Sequence, residues 1–116
     1  MSSTAKRRKQ RALRISSARL VEMIEEATVD AYGESEQTTG WCTVIDDHLA
    51  TPFETKVLGA SVTVERIDLD ESEHIVAICR RGPERQSIPI LALPLPTPPP
   101  EGADWIEAYR LWRGGR

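Results

Sequence analysis

The chain has 116 residues, 40% of them hydrophobic, which suffices for one domain with a modest core and not for two independent domains. The formal net charge of −3 hides an asymmetry: residues 1–14 carry six basic side chains and no acid, while the rest holds nine basic against eighteen acidic residues. No apolar run approaches the roughly 20 residues of a membrane span, and no apolar segment follows the basic start, so neither a spanning helix nor a secretory signal is expected and the protein is expected in the cytoplasm.

Residues 1–14 (Lys6, Arg7, Arg8, Lys9, Arg11 and Arg14 are the cations) read as a basic, disordered arm. Such an arm meets phosphates by charge, but it has no aromatic residue for base stacking and no reading element, so no specific nucleic-acid partner is expected. It can equally fold back on the acidic body. Ser16 or Ser17 caps a first helix to about Tyr32, with Leu20, Ile24, Ala27 and Ala31 as its buried stripe and Gly33 as its stop. A second helical segment opens at Glu34–Glu36 and continues through Trp41, Val44, Ile45 and His48 or Leu49 to Pro52, with Gly40 expected to kink or divide it.

Beyond Pro52 the pattern changes to alternation of β-branched and polar residues. Strands are expected at 53–57, 61–67, 74–80 and 85–93, with Val62, Val64 and Arg66 on one face of the second and Pro89 marking an edge or a bulge. Short connections favour antiparallel pairing in a small curled sheet or SH3-like barrel of four to five strands. Residues 94–100, PLPTPPP, form an extended connector, read as a stiff spacer, with an SH3 or WW ligand as the alternative. Trp105, Ile106, Tyr109 and Trp112 then have the spacing of a short amphipathic helix that packs on the sheet or on the first helices. The expected architecture is an α+β domain over residues 15–113, made of two N-terminal helical segments, an antiparallel sheet and a short C-terminal helix, with residues 114–116 as a tail.

Catalytic chemistry has little support. His48 and His74 lie in no nucleophile motif, no phosphate-binding glycine loop occurs, and Cys42 and Cys79 match no metal spacing and read as buried thiols. No enzymatic activity is expected. The informative stretch runs from Glu22 to Leu49, with eight carboxylates and no Lys or Arg. Clustered like charges repel, and a hard cation such as calcium, which takes six to eight oxygen ligands, is the simplest use for them; a solvated acidic face is the plain alternative. No EF-hand loop is present. One location for an ion is 68–73 (DLDESE), which reads more simply as a charged hairpin turn. The other comprises Asp30, Glu34, Glu36, Asp46 and Asp47, which converge if the two helices fold back on each other, with free carbonyls around Ala31–Gly33.

The segments VDAYGESEQ (29–37), Gly40-Trp41, IDDHL (45–49) and Pro52-Phe53, followed by the strand region and the tryptophan-bearing end, resemble the bacterial family of the cyanobacterial heterocyst-linked calcium-binding protein (CcbP-like) over roughly residues 18–113. The resemblance implies a small α/β protein that binds calcium through acidic side chains, as a buffer or signalling component without catalysis. Asp30, Glu34, Glu36, Asp46 and Asp47 are then the pool of metal ligands and calcium the cofactor. A monomer is expected, with no membrane partner and an unidentified protein partner left open. The runner-up is a metal-independent interaction module, an SH3-like barrel with an acidic docking face. The basic arm and PLPTPPP are departures from the family's pattern.

Overall fold

A computed structural model describes residues 15–114; the basic arm over 1–14 and the end of the expected tail, 115–116, lie outside the described residues. Two helices, α1 (Ser17–Thr28) and α2 (Glu34–His48), lead into strands β1 (Phe53–Val57), β2 (Ala60–Leu69), β3 (Ile75–Arg81) and β4 (Glu84–Pro89). A 3-10 turn (Ile90–Ala92) and the connector follow, and helix α3 (Ala103–Gly114) closes the fold.

The Ser16 side chain caps α1 by accepting from the Arg19 amide at 3.1 Å. The helix ends at Thr28, earlier than the expected Tyr32, because Asp30 takes a left-handed conformation (φ 59°) that breaks the ladder. Gly33 is accordingly the extended N-cap of α2 rather than the stop of α1. Met23 and Ala27 are the fully buried residues of α1, with Leu20 and Ile24 beside them and Ala31 only half-buried.

Gly40 neither kinks nor divides α2, which is continuous. A Cβ at Gly40 would overlap the carbonyl oxygen of Ala27, so glycine is what lets the backbones of α1 and α2 touch. At the other end of α2, a Cβ at Gly102 (φ 90°) would overlap the His48 carbonyl, and the Ala50 amide donates to the Glu101 carbonyl at 2.8 Å. The start of α3 is therefore seated on the end of α2. Thr55 donates to the Pro94 carbonyl at 2.7 Å and the Ala103 amide to the Pro100 carbonyl at 3.2 Å, so the proline connector is anchored at both ends.

The sheet is an antiparallel meander in the order β1-β2-β3-β4. It is open, with β1 and β4 as its edges, so of the two expected forms, antiparallel sheet or SH3-like barrel, the described residues form the sheet. Helix α2 packs on β2, and α1 and α3 pack on α2 and on each other. A bulge between Val64 and Arg66 shifts the alternation of β2 by one residue. Arg66 is thereby exposed and Ile67 takes the core position assigned to Arg66 from strict period two. Pro89 ends β4 on the sheet edge, where its missing N–H costs no ladder bond, and the expected strand to 93 becomes the 3-10 turn.

Val62, Val64, Ile67, Ala77 and Cys79 meet Trp41, Ile45 and Leu49 of the α2 region and Trp105, Ile106 and Tyr109 of α3 in one core. Trp41 is fully buried against Tyr109 (5.4 Å between ring centres) and Trp112 (5.8 Å), and its indole N–H has no hydrogen-bond partner among the described residues. Both cysteines are free and buried, as expected. On the outer face Glu65 accepts from Arg80 at 2.8 Å and Arg85 at 2.7 Å, linking β2, β3 and β4.

Gly40→Ala should destabilise the protein by about 1–3 kcal/mol in urea unfolding, the reverse of the usual gain for alanine in a helix, because the added methyl forces α1 and α2 apart. The two arginines hold Glu65 down at about 2, from an ordinary 4.5. Because its folded value lies below the unfolded one, its contribution is present above about pH 4.5 and lost as pH falls towards 2. Urea midpoints at pH 7 and pH 3 should therefore differ less in Glu65→Gln than in the parent protein.

Candidate functional site

The five acids of the sequence pool fall into two groups. Glu34 and Asp46 stand twelve residues apart on unbroken α2, about 18 Å along its axis. One ion cannot bridge that span, so Asp30, Glu34 and Glu36 at one end are separated from Asp46 and Asp47 at the other. Among the described residues, no three His, Cys, Asp or Glu side chains come together as a group that could hold a metal.

Each end of α2 has its own chemistry. At the first, Glu36 reaches back and accepts from the Tyr32 amide at 2.8 Å, satisfying a donor ahead of the helix. The Gly33 carbonyl accepts from the Gln37 amide at 2.9 Å, which removes it from the expected free carbonyls. Asp30 and Glu34 are exposed. At the far end Asp46 accepts from the Ile67 amide at 3.1 Å, just beyond the β2 bulge, while Asp47 is exposed. The neighbouring Cys42 thiol is pushed up to about 11, first by burial and then by the charges of Asp68 and Asp46, so it stays protonated and unreactive. His48 is committed as well: its Nδ1 donates to the Val44 carbonyl at 2.8 Å and its ring lies 4.8 Å from that of Trp105.

Folding brings together the two places that the sequence offered separately. The Ser35 hydroxyl donates to Glu73 Oε1 at 2.7 Å, which ties the first turn of α2 to the β2–β3 turn. Between them lies a cleft of about 340 Å3 lined by Glu34, Ser35, Thr38, Ser72, Glu73, His74 and Arg113. The β2–β3 turn is held by Asp70, whose Oδ1 accepts from the amides of Ser72 (2.8 Å) and His74 (2.9 Å). Those amides, the His74 one foremost, keep the Asp70 carboxyl below its ordinary range. The turn leaves Glu73 left-handed (φ 63°), facing α2. Ser35, Thr38, Ser72 and Glu73 were not in the sequence pool. The alternating acids of 68–73 were visible, but their meeting with α2 across 38 residues was not.

Two carboxylates and three hydroxyls, hard oxygen donors, line this cleft beside the His74 imidazole. Arg113 is the one group lining the cleft that repels a cation at every pH.

A model of the CcbP family, described as calcium binding, matches residues 21–113, which include both ends of α2, the β2–β3 turn and Arg113. No curated protein and no solved structure is significantly similar to the chain.

Asp46→Ala should cost about 1–3 kcal/mol in urea unfolding, because it strands the Ile67 amide, whereas Asp46→Asn retains an acceptor and should cost far less. Equal losses in the two variants would show that the charge, not the hydrogen bond, is what α2 needs there.

Proposed function

The chain belongs to the CcbP calcium-binding family, and on that basis we propose that it binds calcium in the cleft between the first turn of α2 and the β2–β3 turn, with Glu34 and Glu73 as the principal ligands. The observation that carries this reading is the Ser35–Glu73 hydrogen bond, which draws two acidic segments into one oxygen-lined cleft. The hydroxyls of Ser35, Thr38 and Ser72 and water complete the oxygen shell. Asp30 and Glu36 belong to the same end of α2 and add to its negative field. Asp46 and Asp47 form the second, separate end, where a weaker ion is held if a second one binds.

The protein acts as a non-enzymatic calcium buffer or signalling component in the cytoplasm, as a monomer. Two carboxylates on the ion are few, and calcium affinity rises with ligand charge, so the affinity falls on the weaker side of the calcium-binding range. A metal-independent interaction module is the competing reading. It is favoured by the exposure of Tyr32 (88%) and Val29 (66%) on the α1–α2 turn, two large apolar side chains left in water.

Isothermal titration of metal-stripped protein with calcium separates the readings. Saturable binding is expected, weakened about tenfold or more by Glu73→Gln or Glu34→Gln, and hundredfold excess of calcium over Kd should stabilise the fold by about 2.7 kcal/mol. Absence of heat and of any shift in melting temperature at millimolar calcium would favour the interaction module.

A further inference from the structure

Away from the calcium cleft, the start of α1 meets the start of α3 at a second cleft of about 440 Å3, whose lining includes Ile15, Pro98, Pro99, Pro100, Glu101 and Asp104. Ile15 is half-buried and packs against the core. Glu101 is exposed and Asp104 half-buried, and among the described residues neither makes an ion pair within 4.0 Å. The cation on the first turn of α1, Arg19, is taken by Glu22 at 3.4 Å. The cleft therefore offers three proline rings and two unpaired carboxylates.

Residues 1–14 join the fold at Ile15, so Arg14 is bonded to a residue that already lines this cleft. They carry six cations and no acid, and Leu13 is their one large apolar side chain beyond Met1. Helix α1 has no acid in its own first turn to meet those cations. We propose that the cleft between the start of α1 and the proline connector is the docking site of the chain's own basic arm, with Leu13 against the prolines and Arg11 and Arg14 paired with Glu101 and Asp104. Charge complementarity and the point of attachment both select this occupant. With no linker between arm and cleft, docking is intramolecular at high effective concentration, whereas a separate partner gives up translational and rotational freedom. Docking ties the connector and the start of α3 to α1 and neutralises part of the arm. Its ion pairs lie at the surface, so rising salt releases it. The proposal is independent of the calcium reading.

Trypsin, which cuts after Lys and Arg, tests this on the full chain at short times, with the cut sites identified by mass spectrometry. At low salt the Glu101→Gln/Asp104→Asn double variant should be cut after Arg11 and Arg14 about three- to tenfold faster than the parent, with unchanged rates after Arg7 and Arg8 and within residues 15–114. Salt at about 0.5 M should bring the parent to the rate of the variant. As a second measurement, the amide resonances of Gly102 and Ala103 should differ between the parent and Arg11→Gln/Arg14→Gln, by the same amount at every protein concentration. Equal cleavage of parent and double variant after Arg11 and Arg14, or unmoved Gly102 and Ala103 resonances, overturns the proposal. Faster cleavage that extends through residues 15–114 reports a loosened fold and overturns it too. Protection that fades on dilution places the arm on a second copy of the chain and overturns the intramolecular assignment.

Discussion

The architecture depends on how closely α2 can approach its neighbours. At Gly40 its backbone lies directly against the Ala27 carbonyl of α1, an approach that any side chain would prevent. From that position the rest follows by contact. Trp41, the next residue, is placed at full burial between α3 and the sheet, and Gly102 seats the start of α3 on the end of α2. Intrinsic helix propensity argues against a glycine at this point by about 1 kcal/mol. Packing decides the matter, because a separation of the helices would cost more buried surface than glycine costs in backbone entropy.

Two acids and one serine lock α2 to the β2–β3 hairpin. Asp46 takes the Ile67 amide at one end, and Ser35 binds Glu73 at the other. These contacts separate structural from available carboxylates. Asp46 and Glu36 each have an oxygen engaged with a backbone amide, and Asp70 has one engaged with two, so their charge is partly spent on holding turns and helix ends. Glu34 and Glu73 line one cleft, together with Arg113.

Elements whose signal is local lie where the residue pattern puts them. Strand β1 lies where alternation placed it, and the serine cap, the continuous apolar positions Trp41 and Ile45, and the tryptophan-bearing last helix are where spacing put them. The failures share one cause. The end of α1 turned on the left-handed Asp30 and the outward turn of Arg66 on a bulge in β2, and neither is a property of a short window. Period two predicts a face only while the ladder is regular, and one extra residue reverses every side chain beyond it.

The same division holds for the site. Residue type and pattern alone determined that the chain carries hard oxygen donors in excess, in two acidic stretches, with a family resemblance pointing to calcium. Only the tertiary structure decided which of those donors share a space. An ion needs its ligands within about 2.3–2.6 Å of one point, and no local pattern specifies convergence across the 38 residues from Ser35 to Glu73. The continuous α2 separated five acids that look like one pool, and the hairpin brought Glu73 and Ser72 beside Glu34, because helix rigidity and long-range packing, not proximity along the chain, set the distances between charges.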